Sequence, residues 1–344
     1  MADFPFLLPS FVHPSKNSGI FFTDRTTLDL FKNCMGGEFM KQANCIIIGG
    51  GIAGIQAAIQ LGRYKHDIIV IDSAQGRSSI AKAYHNILGW PDGVSGSQLR
   101  NLGRQQAEKS GVKFLDDKVT TLEKIEDKFI VSTKKDSQYQ ADTIFLATGI
   151  TDNIPPIKNL YSTLGTSTYI CPDCDGHEIT DKQTVVIGGG TTGVKMSLSL
   201  LYWSKNILYV NHLKTTIDEK EREKLKEGQI PLIEEKVEEV LVDDEHQLTG
   251  IQLESGRIIE ASKAFTAFKG NKLNNELALQ LGVQVNENDH VVTHPRTKET
   301  NITGVWAGGD LIAHSEQVTI SMGDGTQAAI WIHKRLLGHP LPYD

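Results

Sequence analysis

Short β-branched runs alternate along the chain with glycine turns and helix-period stretches. Cys45-Ile46-Ile47-Ile48 is apolar at every position, the pattern of a strand buried on both faces of a parallel sheet. It runs into Gly49-Gly50-Gly51-Ile52-Ala53-Gly54 and a helical stretch from Ile55 to Leu61. A second apolar run, 67–71, closes at Asp72. The same order returns downstream: Thr184-Val185-Val186-Ile187, then Gly188-Gly189-Gly190-Thr191-Thr192-Gly193, a helix to about Leu201, and a strand over 207–210 closing at Asn211. Gly188 lies 139 residues beyond Gly49, too far for a solenoid repeat and right for two dinucleotide-binding units.

Each unit carries an antiparallel insertion. Runs at 119–122 and 128–132 flank a polar turn before the strand 143–146, and runs at 237–242, 246–253 and 257–260 precede an apolar segment at 264–268. The strand 304–307, the turn Gly308-Gly309-Asp310 and a helix over 317–334 return to the grammar of the first unit. The expectation is therefore an α/β protein of two Rossmann-like three-layer dinucleotide-binding domains, the second inserted into the first. The first, FAD-type domain takes residues 40–152 and 272–344, and the second, nicotinamide-type domain takes 153–271. Residues 1–39 show no period, contain Pro5, Pro9, Pro14, Gly19, Gly36 and Gly37, and end at a second methionine, Met40. They read as an extension or an appended leader.

Composition narrows the function classes. In 344 residues, 39% are hydrophobic and 22% charged, enough apolar material for packed cores. The net charge is −7 with no dense basic run, which argues against nucleic acid as a partner. The longest apolar stretch, Cys45 to Leu61, is broken by four glycines and two glutamines and does not make a membrane span. Four cysteines, at 34, 45, 171 and 174, are too few for a disulfide scaffold and suit a reducing cytoplasm.

Gly49, Gly51 and Gly54 satisfy G-x-G-x-x-G between a strand and a helix. The first glycine permits the tight turn, the second lets backbone approach a pyrophosphate, and the third lets helix and strand pack closely. Asp72, 23 residues beyond Gly49, is placed to accept hydrogen bonds from an adenosine ribose. Gly188, Gly190 and Gly193 repeat the pattern, but Asn211 stands at the matching offset, followed by His212-Leu213-Lys214-Thr215-Thr216. A neutral residue with one firm cation nearby leaves NADPH and NADH both open, beside a domain retained only for architecture. Between the fingerprints lies Cys171-Pro172-Asp173-Cys174-Asp175-Gly176. Two thiols at this spacing can close a disulfide, whereas zinc would need about two further ligands that a lone His177 does not supply. The motif reads as a redox pair. Asp175 is either its general acid/base or a turn residue.

From Met40 onward the order of these motifs resembles the low-molecular-weight thioredoxin reductases, FAD-dependent pyridine nucleotide-disulfide oxidoreductases: the first fingerprint, Ala147-Thr148-Gly149, Cys-x-x-Cys-Asp-Gly, the second fingerprint, Gly308-Gly309-Asp310 and the Gln317 helix. The resemblance implies FAD on Gly49, Gly51, Gly54 and Asp72, with Asp310 and Gln317 near its ribityl chain and ring. It also implies that Cys174 faces the flavin, that Cys171 attacks the substrate disulfide and that Asp175 is the acid/base. A homodimer and a thioredoxin-like protein or small disulfide or dithiol as partner follow from the same resemblance.

Three features depart from that family. The basic cluster after the second domain's second strand is reduced to His212 and Lys214, and Glu316 replaces the arginine before Gln317. The loop after Asp72, with Arg77, His85, Trp90 and Pro91, is short and resembles the branch containing flavin dithiol oxidases. Arg77 is either a flavin-phosphate contact or a surface charge, and His85 either a flavin-edge group or an ordinary polar residue. The leading expectation is electron flow from NAD(P)H through FAD to the Cys171/Cys174 disulfide and on to a substrate disulfide. The alternatives are a dithiol oxidase that uses oxygen without nicotinamide, and a flavin redox sensor without turnover.

Overall fold

The computed structural model describes residues 40–342; residues 1–39, with Cys34, lie outside the described residues. The first glycine turn joins strand β1 (Lys41–Ile48) to helix α1 (Ile52–Arg63), which leads to β2 (Ile68–Asp72). Helix α2 (Gly96–Glu108) and β3 (Lys113–Asp116) follow, then β4 (Val119–Ile125), β5 (Lys128–Thr133) and β6 (Gln138–Leu146). These strands form one sheet in the order β3-β2-β1-β6-β5-β4, parallel from β3 to β6 and antiparallel beyond. The strand at Val305–Ala307 joins it late in the sequence, parallel to the C-terminal end of β6. A chain segment from beyond residue 300 thus completes the sheet begun at residue 41.

The alternation within each buried strand sorts side chains to two cores. Cys45 and Ile47 of β1, Val70, Phe145 and Trp306 face helix α1 and a long C-terminal helix, Val318–Leu336. Ile46, Ile48, Ile71, Ile144 and Leu146 face the other way, with Leu122, Phe129 and Val131 of the hairpin. The C-terminal helix lies close against α1: a Cβ on Gly325 would sit 2.3 Å from the Ala53 carbonyl oxygen. That close approach brings the N-terminal ends of both helices toward the carboxyl ends of the strands, where open α/β sheets bind ligands.

The second sheet is wholly parallel and uses Thr168–Tyr169, Thr184–Gly188, Ile207–Asn211, Leu232–Ile233 and Lys263–Ala267. Its second glycine turn joins Thr184–Gly188 to the helix Gly190–Leu200. Val237–Val242, Leu248–Leu253 and Ile258–Glu260 form a separate antiparallel sheet of three strands. In the first half the corresponding hairpin is continuous with the main sheet, so the two insertions share a pattern and differ in attachment. Among the described residues no helix is long and apolar enough to cross a membrane.

Candidate functional site

The first glycine turn opens into a cavity of about 910 Å³, within the usual size of a cofactor site. Gly49 has φ +107°, and a Cβ there would lie 2.3 Å from the Ala147 carbonyl oxygen, so glycine alone lets β1 turn beside the end of β6. At Gly51 a Cβ would meet nothing within 4 Å; the backbone there is free for a ligand to approach. Gly54 does not line the cavity. It is buried in α1, where a Cβ would stand 1.9 Å from the Gly49 carbonyl oxygen, and its role is helix–strand packing. Asp72 lines the cavity and accepts from Arg100 Nη2 at 2.7 Å, while Arg100 Nε donates to the Gly50 carbonyl at 3.1 Å. Arg100 therefore ties the acid to the turn, a role no sequence spacing marked.

Ala147, Thr148 and Gly149, just beyond β6, line the same cavity. Thr148 Oγ1 donates to the Asn274 carbonyl at 2.6 Å, and Asn274 Nδ2 returns a bond to the Thr148 carbonyl at 3.0 Å. Gly309, Asp310 and Gln317 also line it. Gly309 has φ +72°, and its N–H donates to Asp324 Oδ2 at 3.0 Å. Asp324 is buried between His314 Nε2 at 2.7 Å and Lys298 Nζ at 2.9 Å. Burial alone would raise its carboxyl, yet the hydrogen bonds from His314 and Lys298 hold it below the usual range.

Arg77 belongs to this cavity and is not a solvated surface charge. Its guanidinium is bidentate on Asp152, at 2.7 and 2.5 Å, reaches Asp310 Oδ2 at 3.3 Å and pairs with Glu316. The acid at position 316 is thus the partner of Arg77. Burial works against the Arg77 charge, but Asp152 and Glu316 outweigh it and hold the guanidinium protonated. Burial also raises the Asp310 carboxyl above its ordinary value, with Arg77 opposing. Tyr84 and Asn86 line the cavity, whereas His85 between them does not and instead meets His177 edge-on with ring centroids 6.2 Å apart.

Cys171, Cys174 and Asp175 line the far part of the same cavity. Pro172–Asp175 is a single helical turn with Cys171 as its N-cap and Pro172 at its first position, where proline's missing N–H costs nothing. This turn brings the two sulfurs to 2.6 Å. The hydrogen bond from Cys174 pushes the Cys171 thiol below its ordinary value and raises that of Cys174, so the two sulfurs titrate as one pair. Gln317, at the N-terminus of Val318–Leu336, donates from Nε2 to Cys174 Sγ at 3.3 Å and accepts from Asn86 Nδ2 at 2.8 Å. Burial, and then Glu178, push the Asp175 carboxyl up to about 7, against the pull of Lys263, so Asp175 can exchange a proton near neutrality. Cys45 lies buried in β1, with burial pushing its thiol up to about 12, which fits a packing role.

The second glycine turn is filled by its own chain. Gly188, Gly190, Gly193 and Asn211 lie outside the large cavity. Asn211 is fully buried; its Oδ1 accepts from the Gly190 N–H at 3.0 Å and its Nδ2 donates to the Thr215 carbonyl at 2.8 Å. A Cβ on Gly189 would meet Leu213 Cδ1 at 2.7 Å, and one on Gly190 would meet Thr215 Oγ1 at 2.9 Å. Gly193 packs against the Tyr209 ring, whose hydroxyl donates to the Gly190 carbonyl at 2.9 Å. Lys214 and His212 both have partners within the fold. Lys214 pairs with Glu254, and His212 accepts from the Val237 N–H at 3.0 Å with its ring edge-on to Phe268.

The chain is similar to known proteins along most of its length. The sequence profile described as pyridine nucleotide-disulphide oxidoreductase matches residues 43–325. A thioredoxin reductase of Rickettsia bellii (strain RML369-C) is 29% identical over 303 residues, covering 85% of this chain and 97% of that protein. The crystal structure of HlmI superposes with a TM-score of 0.79 at 26% identity, covering 88% of this chain and 95% of that one. The putative thioredoxin reductase TrxB of Bacillus anthracis, at 24% identity with a TM-score of 0.76 over 86% of this chain and 99% of that one, shows the same fold.

Proposed function

The chain belongs to the pyridine nucleotide-disulphide oxidoreductase family, and from that premise we propose that it works as an FAD-dependent disulfide oxidoreductase of the thioredoxin reductase kind. In this reading residues 40–152 and 272–344 hold FAD, and residues 153–271 carry the dithiol and a nicotinamide-type site. One observation carries it: Cys174 lies in the cavity that opens from the first glycine turn, bonded to Gln317 on the cavity wall. The residues present fit FAD. Gly51 presents open backbone at the start of α1, where a pyrophosphate would bind, Asp72 is anchored where it could accept from a ribose, Asp310 lines the same cavity, and Gln317 reaches the dithiol at Cys174. FAD, when bound, supplies or accepts the two electrons of the dithiol–disulfide couple.

The chain's own residues do the rest. Cys171, the more acidic sulfur, attacks the substrate disulfide, and Cys174 then closes on Cys171 to release the substrate as a dithiol. Asp175 gives up the proton that the leaving thiolate needs. Gln317 steadies the Cys174 sulfur at the cofactor. NAD(P)H is the electron source of this scheme, a thioredoxin-like protein or small disulfide its acceptor, and a cytoplasmic homodimer its setting. A second reading is favoured by the filled glycine turn at Gly188–Gly190: electrons enter from a substrate dithiol and leave to oxygen, with no nicotinamide step.

Anaerobic titration of the holoenzyme with NADPH, NADH and dithiothreitol, followed in the flavin spectrum, separates the two. Reduction by a nicotinamide nucleotide with turnover of a disulfide supports the first reading; reduction by dithiothreitol alone supports the second. A protein that folds but takes up no FAD defeats both. In either scheme Cys171→Ser leaves a lone Cys174 thiolate beside the flavin and gives a long-wavelength charge-transfer band, while Cys174→Ser does not.

A further inference from the structure

Behind the dithiol, Lys263 sits at the start of the strand Lys263–Ala267 with its side chain only 17% exposed. Its ammonium donates to the Thr166 carbonyl at 3.2 Å, to the Tyr169 hydroxyl at 2.7 Å and to Glu178 Oε2 at 3.4 Å. The Tyr169 hydroxyl in turn donates to the Thr166 carbonyl at 2.6 Å. Three acceptors, two from the 166–169 stretch and one from Glu178, therefore fix one ammonium. Glu178 lies in the turn Gly176–Ile179 that continues directly from Asp175, and its other oxygen is 3.4 Å from His177 Nε2 at the surface. Asp175 is half-buried and makes no ion pair of its own among the described residues.

We propose that Lys263, through its ion pair with Glu178, is a positioning residue that balances the charge around Asp175 so that Asp175 exchanges a proton while the Cys171/Cys174 pair turns over. This rests on the reading of Asp175 as the acid/base of the dithiol. When a dithiol closes to a disulfide it gives up two electrons and two protons; FAD accepts both electrons and one proton, and Asp175 takes the other. For that, Asp175 must be neither locked as a carboxylate nor locked as an acid.

The groups that face Asp175 set this balance. Its own turn brings Cys171, Cys174 and Glu178, with His177 beyond. Lys263 comes from the neighbouring strand, Tyr169 from Thr168–Tyr169, and Tyr84 from the loop that lines the cavity. Lys263 is the one cation among them when His177 is neutral. Without Lys263, the Glu178 charge stands unbalanced and Asp175 keeps its proton to higher pH. Without Glu178, Lys263 acts alone and Asp175 ionises at lower pH. With both removed, the two changes oppose each other.

The test uses the holoenzyme in anaerobic stopped-flow, reading flavin reduction by dithiothreitol between about pH 5.5 and 9. Lys263→Met moves the midpoint of the rate profile up and Glu178→Gln moves it down, each by about one pH unit. The double variant returns to within about 0.3 unit of the wild type, Lys263→Arg keeps the wild-type midpoint, and Asp175→Asn loses the limb. A purely structural role would shift both single variants the same way or slow them without moving the midpoint, and either result overturns the proposal. Should Lys263→Met fail to retain FAD, Glu178→Gln and Lys263→Arg still decide it: an unmoved midpoint in Glu178→Gln overturns it. A limb that survives Asp175→Asn also overturns it while leaving the disulfide oxidoreductase reading intact. Dithiol-driven reduction that survives Cys174→Ser would defeat that reading itself, and this proposal with it.

Discussion

Two glycine turns with the same G-x-G-x-x-G spacing fold in this chain to opposite ends. At Gly51 the space beyond the backbone is open, and the acid at the end of the next strand is held beside the turn by Arg100, which also reaches the Gly50 carbonyl. At Gly190 the backbone N–H is already taken by Asn211, and Leu213 and Thr215 lie over the turn. An aspartate cannot donate to a carbonyl, so Asp72 could not make the bond by which Asn211 holds the Thr215 loop down. The amide at position 211 can do both halves of that job, and it caps its own turn. The same fingerprint thus gives an open turn and a covered one, and the residue about two dozen positions on takes part in the difference by bonding Gly190 and Thr215.

The hardest blow to this contrast is a carboxylate placed at the second glycine of each turn. Gly51→Asp puts a negative charge where the proposed FAD site would receive the pyrophosphate, in a position that costs the fold little because nothing crowds it. It should lower FAD affinity by at least about 100-fold, or roughly 2.7 kcal/mol. Gly190→Asp meets Thr215 and carries φ +50°, so it should lower the melting temperature while leaving the flavin content at one per chain. Flavin-to-protein absorbance ratios and thermal melts measure both. Equal loss of FAD in the two variants would show that the turns are not functionally distinct.

A milder change sharpens the contrast. Leu213→Ala uncovers Gly189 without adding charge. It should speed flavin reduction by NADH and NADPH by about tenfold, with discrimination between the two remaining below about 100-fold, since Lys214 is engaged by Glu254 and no arginine stands ready for a 2′-phosphate. Stopped-flow reduction at matched concentrations is the measurement. Wild-type protein already reduced rapidly by NADPH, with NADH inert, would show that the loop leaves the turn without difficulty.

The parts of the molecule that the sequence disclosed are those where a single constraint acts along the chain. Strands such as Cys45–Ile48 and Thr184–Ile187 are buried on both faces and so read as unbroken apolar runs. The helix Gly96–Glu108 buries only Gly96 and Ala107, and Glu219–Glu227 buries only Leu225; with so few apolar residues neither stands out as an apolar run. Glycine turns and Cys-x-x-Cys are local and legible for the same reason. Arg77 with Asp152, Arg100 with Asp72 and Lys263 with Glu178 are pairs 75, 28 and 85 residues apart. The topology of the sheets makes those pairs, and no spacing along the chain could have announced them. Asn211 lies between the two cases. Its departure from aspartate was visible, but its bonds to Gly190 and Thr215 depend on where the following loop folds back.

Exchanging the two residues between the turns gives the smallest and most specific effect. Asp72→Asn keeps an oxygen for Arg100 but loses the charge that strengthens the 2.7 Å bond, and FAD affinity should fall by less than about tenfold. Asn211→Asp sets a carboxylate, with no hydrogen to donate, against the Thr215 carbonyl in a fully buried position. That loss should cost about 1–3 kcal/mol of stability, a few degrees in melting temperature for a chain of this size. It should also loosen the 213–216 loop, so that nicotinamide-driven flavin reduction rises even as stability falls. The opposite signs are what the comparison demands: an acid closes nothing at the first turn and uncaps the second. If Asn211→Asp destabilises the protein without raising the reduction rate, the amide is a structural bond of the second sheet and has no part in keeping its glycine turn closed.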